Sequence, residues 1–233
     1  MKLKRIISIT AAAILAVSVS AQAADFTDIR GHWAESTINS LADKGVINGI
    51  TPTTFKPEGT VTRAEFLKMA MEASNIKPVT MRAGECLDAT QKDWFSGYLQ
   101  SALDKGIIPE QMINNCTINV LNKTDENGNV TSAALYNGAF LGNLPVSREE
   151  MAALSQITYQ YALNANTMKK MKEPVELTFT DNGAISEWVL PYVKLAVAQG
   201  FITGMDNGSF APKLTATRAQ AAVIIDRILN QNK

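Results

Sequence analysis

Apolar side chains recur three or four positions apart in six stretches of the chain, the spacing that places them on one face of an α-helix. The stretches come in pairs, and a loop separates the two members of each pair. The first member of each pair follows a tryptophan: Trp33, Trp94 or Trp188. The second begins beside an arginine: Arg63, Arg148 or Arg218. The pattern predicts three helix-loop-helix units.

The ends of these helices are marked in the sequence. Gly45, Gly106 and Gly200 follow the first helices, where a glycine with positive φ ends a helix. Thr62 and Glu65 form a capping box that predicts a helix start. This places an arginine in the first turn, where a cation is mildly unfavourable, and "VTRAEF", "VSREEM" and "ATRAQA" repeat the placement three times. Unpaired backbone N–H groups at a helix start form an anion site, and an arginine beside them adds further donors. The repeated placement therefore predicts anion capture. The alternative is that each arginine pairs with a neighbouring acid on the surface.

The spacing of marker residues shows that the first and third units are copies of one pattern. In both, the tryptophan lies 12 residues before a glycine and 30 residues before the arginine. The middle unit keeps the first interval, but 54 residues separate Trp94 from Arg148, so about 24 residues are inserted. Within the insertion, "TINVL" and "VTSAAL" flank a turn-like "NKTDENGN", which predicts a β-hairpin.

The first 23 residues have the pattern of a secretory signal peptide. Three basic residues precede an apolar run at 6–20, and "AQA" follows as a cleavage site. A membrane anchor is the alternative, but the run is short for a span. In an exported chain, the pair Cys86 and Cys116 predicts a disulfide, the alternative being a reactive thiol.

Composition limits the functions that this chain can have. Without residues 1–23, the formal net charge falls from 0 to −3, so nothing indicates a nucleic-acid partner. His32 is the single histidine, and the sequence shows no zinc cluster and no phosphate loop. We therefore expect neither an enzyme nor a bound cofactor or metal.

A single helix pair cannot bury both of its faces, whereas three stacked pairs can. The sequence thus predicts an all-α, pseudo-three-fold domain with a central helix bundle and a small hairpin insertion. The predicted boundaries are 24–74 for the first unit, 85–163 for the second with its insertion at about 111–141, and 176–233 for the third. Grooves between adjacent units are the expected concave sites.

The segment "FTDIRGHWAESTINSLADKGVINGITPTTFKPEGTVTRAEF" resembles an S-layer homology repeat. Its markers are the Phe-Thr-Asp opening, the tryptophan, the Gly-x-x-x-Gly step, Phe-x-Pro and Thr-Arg-Ala-Glu. The resemblance extends over nearly all of the chain after residue 23 as three repeats. It implies a three-pronged spindle that holds exported proteins on the cell wall by binding pyruvylated secondary cell-wall polysaccharide.

The resemblance also implies ligand-binding residues. The motif arginine of the family meets the carboxylate of the pyruvate ketal, and here it corresponds to Arg63, Arg148 and Arg218. We expect Arg63 and Arg218 to matter more than Arg148, because unit two lacks Gly-x-x-x-Gly and Phe-x-Pro and carries the acidic Glu149 beside its arginine. Further candidates for the ligand site are Trp33, Trp94, Trp188, Gly49 and Gly204.

Several of these residues keep two interpretations at this stage. Each tryptophan can be a core anchor or a platform for a sugar, and Gly49 and Gly204 can serve tight turns or let a glycan approach the backbone. Asp28 and Asp181 are expected to cap the loop before the first helix.

The function predicted from the sequence is non-covalent binding of wall polysaccharide by a secreted protein of the cell envelope, at the cell wall or S-layer. The expected partner is a peptidoglycan-linked glycan. The alternative is a structural or adhesive surface protein whose unit-two insertion contacts a protein partner. A hydrolase in a similar scaffold is disfavoured, because the sequence offers no catalytic set.

Overall fold

The structure is a computed structural model that describes residues 25–83, 86, 88–124, 130–164 and 171–231. It gives side-chain positions for these residues except 114–137 and 164. The predicted signal peptide lies outside the described residues, as does the turn of the predicted hairpin at 125–129. No helix in the described ranges is long and apolar enough to cross a membrane.

Three pairs of α-helices dominate the described residues, as the apolar spacing predicts. The first helices of the pairs are α1 (Glu35–Asp43), α3 (Ser96–Asp104) and α5 (Leu190–Gln199). The second helices are α2 (Arg63–Ala73), α4 (Arg148–Asn164) and α6 (Arg218–Gln231). Short 3₁₀ turns occur at Thr27–Ile29, Glu110–Met112 and Asn182–Ala184.

The helix ends agree with the sequence prediction. Gly45, Gly106 and Gly200 have φ values of 68°, 63° and 81°, a left-handed conformation that costs glycine little. The capping box at α2 is complete: the Glu65 N–H donates to Thr62 Oγ1 at 3.2 Å, and the Thr62 N–H donates to Glu65 Oε2 at 2.8 Å. The ends of the three first helices and the start of α2 therefore have local causes that the sequence contains.

The second helices pack against one another, and the first helices pack on their outside. α2, α4 and α6 contact one another, and each carries fully buried residues, such as Phe66, Met151 and Ile225. Each first helix contacts the second helix of a different unit: α1 lies on α6, α3 on α2, and α5 on α4. Because the units exchange helices in this way, their apolar faces form one continuous core.

Three short extended segments join the units just before the second helices. The Val61 N–H donates to the carbonyl of Ala216, the Ala216 N–H to Val146, and the Val146 N–H back to Val61, at 3.2, 2.9 and 3.0 Å. All three residues are fully buried. The bonds form a closed ring, so each unit completes the hydrogen bonding of its neighbours.

The insertion contains two antiparallel strands, β1 (Asn114–Thr124) and β2 (Val130–Ala139), at the position predicted for a hairpin. The register pairs Thr117 with Asn137 and Thr124 with Val130, with an irregularity on the Asn114 side of Thr117. Within the described residues, strands are thus confined to this insertion and to isolated bridges, and the helices are joined by turns and loops.

The predicted disulfide between Cys86 and Cys116 is not formed. Cys86 is a buried free thiol that lies 3.0 Å from Asp88 Oδ1 and 3.2 Å from the carbonyl oxygen of Gly138. Burial, together with the neighbouring Asp88 carboxylate, raises the pKa of the Cys86 thiol to about 11. A thiol held neutral in this way is a poor nucleophile, which also disfavours the reactive alternative. The Cys116 side chain lies outside the described residues.

Candidate ligand-binding grooves

Each motif arginine reaches out of its own unit into the loop of another. Arg148 Nε donates to the carbonyl of Phe210 at 2.8 Å, and its Nη2 donates to the carbonyl of Thr203 at 3.0 Å. Arg218 repeats this geometry toward the first unit, with Nε on Phe55 and Nη2 on Asn48, both at 2.9 Å. The two arginines therefore connect unit two to unit three and unit three to unit one.

Arg63 makes the equivalent connection from unit one to unit two. Its Nε donates to the carbonyl of Phe140 at 2.9 Å and its Nη2 to Met112 at 2.5 Å. The phenylalanine that accepts from Nε also lies under the guanidinium in all three units, with the arginine Cζ 4.6–5.4 Å from the ring centroid. Hydrogen bonds and cation–π contacts thus fix all three guanidinium planes.

An aspartate near the start of each unit holds this phenylalanine in place. Each carboxylate accepts two backbone N–H groups, from the phenylalanine and from the residue after it, at 2.6–2.9 Å. The aspartates are Asp28, Asp88 and Asp181. The second donors are Lys56, Leu141 and Ala211, which have positive φ values of 62°, 55° and 55°. The expectation that Asp28 and Asp181 cap the loop before the first helix is therefore wrong, since they close loops about 27 to 30 residues further along the chain.

Phe140 is the unit-two counterpart of Phe55 and Phe210, and the sequence prediction missed it. Unit two lacks Phe-x-Pro, but Phe140-Leu141-Gly142 occupies the same place and makes the same contacts. The signal was present, because Phe140 precedes Arg148 by eight residues, as Phe55 precedes Arg63 and Phe210 precedes Arg218.

The amide groups at the helix starts are not available to an anion. The Arg63 and Ala64 N–H groups each donate at 2.9 Å, to the carbonyls of Leu144 and Gly142 in unit two. The backbone N–H groups of Arg148 and Arg218 likewise donate to the carbonyls of Leu214 and Gly59, at 2.9 and 2.8 Å. The prediction that unpaired helix amides form the anion site is wrong, because neighbouring loops already use them. Anion capture at these positions must come from the guanidinium groups and the groove walls.

The three arginines differ at Nη1, the nitrogen outside the two conserved bonds. Arg63 Nη1 donates to Glu150, and Arg218 Nη1 lies 3.9 Å from Glu65 Oε1. The residue of α6 at the corresponding position is the uncharged Gln220. Within the described part of the chain, no carboxylate oxygen lies within 4 Å of the Arg148 guanidinium, so its charge has no direct ion-pair partner.

Burial affects the two arginines that open into cavities. It lowers the pKa of Arg148, an effect that the Asp181 carboxylate opposes. It also lowers the pKa of Arg218, opposed by Glu65 and Asp28. Both groups stay cationic, since arginine does not lose its charge in proteins. A buried cation without an ion-pair partner gains from an incoming carboxylate.

The first groove is a cavity of about 390 Å³ between units. Trp94 of unit two and Arg218 of unit three line it, opposite the 46–50 loop and α2 of unit one. Trp94 is 56% exposed, which makes the core interpretation of this residue wrong. α2 contributes Glu65, Lys68 and Glu72 to the wall, so acids and cations balance in this groove.

The second groove is a cavity of about 430 Å³ with the same construction. Trp33 of unit one and Arg148 of unit two face the 202–206 loop and α6 of unit three. Trp33 is 63% exposed, so it is not a core residue either. Arg227 of α6 adds a second cation to this groove.

Arg63 and Trp188 differ from the other candidates. Neither lines these two cavities. Trp188 is half-buried and packs against the core, as its core interpretation expects. All three nitrogens of the Arg63 guanidinium are engaged within the protein.

Gly49 and Gly204 line the first and second grooves respectively, but not because of special turn geometry. Neither has a positive φ. A Cβ at Gly49 would lie 2.7 Å from the carbonyl oxygen of Thr54, and one at Gly204 would lie 2.7 Å from the Phe179 ring. These positions need glycine because the loop folds tightly onto its own unit.

Glu149, expected to weaken capture at Arg148, is directed elsewhere. Its carboxylate accepts from Ser186 Oγ at 2.9 Å, from the Ser186 N–H at 3.1 Å and from Lys213 Nζ at 2.5 Å. It ties unit two to unit three, so Glu149 is not a reason for ranking Arg148 below the other two arginines.

Comparisons with known proteins match two of the three units to one domain family. The family model for the S-layer homology domain matches residues 25–67 and 178–222. An amylopullulanase of Thermoanaerobacterium thermosulfurigenes is 33% identical over 207 residues, which are 89% of this chain and 10% of that protein. The exoglucanase XynX of Acetivibrio thermocellus is 31% identical over 89% of this chain and 16% of its own length.

S-layer proteins are also among the relatives. One from Bacillus thuringiensis subsp. finitimus is 26% identical over 221 residues, or 94% of this chain and 23% of that protein. The chain thus spans between a tenth and a quarter of the length of these three relatives.

Proposed function

Because the chain carries S-layer homology domains at residues 25–67 and 178–222, we propose that it is an exported cell-envelope protein that binds cell-wall polysaccharide non-covalently. In this proposal the polymer is acidic, with pyruvate ketal groups as the source of charge. The protein is a binding module without catalytic activity.

The residues at 85–163 form a third repeat in this proposal. The support is that Asp88, Phe140 and Arg148 make the contacts that their counterparts make in the two matched domains. The exchange of helices and the closed ring through Val61, Val146 and Ala216 support a pseudo-three-fold arrangement of three repeats.

The observation that carries the function is the pairing of a fixed cation with an exposed indole in each groove. Arg148 and Trp33 line the second groove, and Arg218 and Trp94 line the first. An indole offers a flat apolar surface for the face of a sugar ring, and a guanidinium offers donors for a carboxylate. Each cavity has the size of a small-ligand site, which accommodates a short stretch of polysaccharide.

The test is co-sedimentation of the purified protein with cell-wall sacculi. We expect the protein to pellet with native sacculi and to stay in the supernatant when the attached polysaccharide has been removed with acid. The variant Arg148→Ala with Arg218→Ala should lose binding, whereas Arg30→Ala, which changes an exposed arginine, should not. Equal pelleting with stripped sacculi would reject the proposal.

A second candidate function is adhesion to a protein through the insertion. Two long strands pair only with each other in the described sheet, so each has a free edge that can accept a further strand. Replacing residues 115–137 by a short Gly-Ser linker, which keeps Phe140, tests this. Loss of partner binding with unchanged sacculus binding would support adhesion, and no change in either would reject it.

A further inference from the structure

The two grooves share a frame but differ in the helix that forms one wall. Counting from the arginine that begins each helix, positions two, five and nine residues later face the groove. In α2 these are Glu65, Lys68 and Glu72, and in α6 they are Gln220, Val223 and Arg227. Every one of the three positions changes its charge between the grooves.

The result is a different electrostatic character in each groove. The first groove contains two cations, Arg218 and Lys68, and two acids, Glu65 and Glu72. The second contains two cations, Arg148 and Arg227, against one acid, Asp206, which is solvent-exposed. The second groove therefore carries excess positive charge in a partly enclosed site, where electrostatic interactions are less screened.

Gln220 removes a negative charge without losing the helix cap. Its side-chain Oε1 accepts from the backbone N–H of Thr217 at 3.3 Å, and its backbone N–H donates to Thr217 Oγ1 at 3.2 Å. Glu65 makes the same two bonds with Thr62. The cap needs only a side-chain oxygen at this position. A glutamine thus preserves the fold while it leaves the Arg148 charge uncompensated.

Arg227 is held in place as the second cation. Its Nη1 donates to the carbonyl of Phe201 at 3.0 Å, and the residue is half-buried. Burial lowers the pKa of Arg227, opposed by the neighbouring Asp226, and the group remains charged. Since the bond orders its side chain, the charge lies in the groove before any ligand arrives.

We infer that Gln220 and Arg227 determine which sugars each groove accepts: the Trp33–Arg148 groove takes a carboxylate-bearing sugar, and the Trp94–Arg218 groove takes an uncharged one. This inference rests on the proposed function and divides the labour between its two grooves. In the first groove, Glu65 and Glu72 would repel a ligand carboxylate, because like charges brought together disfavour binding.

A reciprocal exchange of the capping residue tests the inference. The probes are a methyl hexoside that carries a pyruvate ketal and the same glycoside with its carboxylate converted to a methyl ester. Isothermal titration calorimetry gives the ratio of their affinities. We expect the unchanged protein to prefer the acid by about tenfold, and Gln220→Glu to reduce this preference to about twofold or less.

Glu65→Gln provides the reverse change. We expect it to add a second binding event for the acid, because the first groove then has excess positive charge. Gln111→Glu adds the same charge at an exposed site outside both grooves and should leave the preference unchanged. Both capping variants keep an oxygen at the cap, and thermal unfolding checks that they fold.

The outcomes separate this inference from the proposed function. An unchanged preference in Gln220→Glu, or no binding of the acid by the unchanged protein, overturns the inference. If that protein still pellets with native sacculi and not with stripped ones, the proposed function stands without it. Failure of the unchanged protein both to bind the acid and to pellet with native sacculi rejects both.

Discussion

The Trp94–Arg218 groove and the Trp33–Arg148 groove are built from the same parts and differ in their charges. In both, an aspartate fixes a phenylalanine, the phenylalanine fixes an arginine, and a tryptophan stands exposed at the side. The difference lies on the helix that forms one wall of each groove. Glu65 and Glu72 of α2 correspond in position to Gln220 and Arg227 of α6. The residues that hold the shared frame are thus separate from the residues that make the charges of the two grooves differ.

The comparison extends to Arg63, which has the same position and another use. Glu150 accepts a hydrogen bond from its Nη1, and the carbonyls of Phe140 and Met112 in unit two accept from its Nε and Nη2. The same motif arginine therefore supports the fold in one place and opens into a cavity in the other two. A motif position alone does not say which of these uses applies.

The largest expected effect tests this division of roles. Arg63→Ala removes the partner of Glu150 and two hydrogen bonds to unit two, and we expect it to lower the free energy of unfolding by about 3 kcal/mol. Urea denaturation followed by circular dichroism measures the loss. Arg30→Ala is the matched control, since Arg30 makes an exposed pair with Asp25 and should cost less than about 1 kcal/mol. A loss no greater than the control's would remove the structural role.

The groove loops give the next largest effect. Gly49→Ala would bring a Cβ against the Thr54 carbonyl and the Phe26 ring, so we expect a loss of about 2 kcal/mol in unfolding free energy. Gly204→Ala meets the Phe179 ring and the Ser209 carbonyl, the latter at 3.0 Å, and should cost less. The same denaturation experiment compares them. The opposite order would show that the second loop is the tighter one.

The tryptophans separate binding from stability. Trp33→Ala removes an exposed ring, so we expect sacculus binding to weaken by about tenfold while the unfolding free energy changes by less than about 1 kcal/mol. Trp188→Ala, at a half-buried position against the core, should do the reverse. Binding isotherms on sacculi and thermal melts provide the two measurements. Equal binding losses in both variants would contradict the assignment of Trp33 to a groove.

The smallest effect depends on pH. The N–H donors of Phe210 and Ala211, against a lesser opposition from burial, lower the pKa of Asp181 in the folded protein. A folded pKa below the unfolded value of about 3.9 stabilises the protein above that pH, and the contribution disappears as the pH falls through the folded pKa.

Asp181→Asn should therefore cost about 1 kcal/mol at pH 7, and the difference from the unchanged protein should shrink below about pH 4. Thermal melts across this range measure it, with Asp43→Asn as the control. The Asp28→Asn variant should behave similarly: burial opposes ionisation of Asp28, but the N–H groups of Phe55 and Lys56 outweigh it and lower its pKa. A pH-independent difference at Asp181 would show that its charge has no part in holding the loop.

The sequence contained enough to predict the local structure. The helix start at Thr62 and the helix ends at Gly45 and Gly200 depend on residues nearby in the chain. The sequence spacing of these residues therefore predicts them. The contacts between units could not be read in this way. The hydrogen bonds from Arg148 to Phe210 and Thr203 depend on how the units pack. The same packing supplies the carbonyls that accept from the backbone N–H groups at the helix starts.

The insertion obscured the unit-two counterpart of Phe55 and Phe210. It separates Trp94 from Phe140 and breaks the spacing by which the other units were aligned, although the interval from Phe140 to Arg148 is intact. Arg227 was missed for another reason: it lies nine residues beyond the motif, and its relevance appears only when α6 is seen as a groove wall.

The most direct test of the account is the response of the three indole N–H signals in a ¹H–¹⁵N correlation spectrum. In a ¹H–¹⁵N spectrum, Trp33, Trp94 and Trp188 give separate indole signals that Trp→Phe variants assign. Adding the ketal-bearing glycoside should shift the Trp33 signal at concentrations that leave Trp94 and Trp188 unchanged. A shift confined to Trp94 or Trp188, with Trp33 unaffected, would contradict the placement of the acidic ligand beside Arg148.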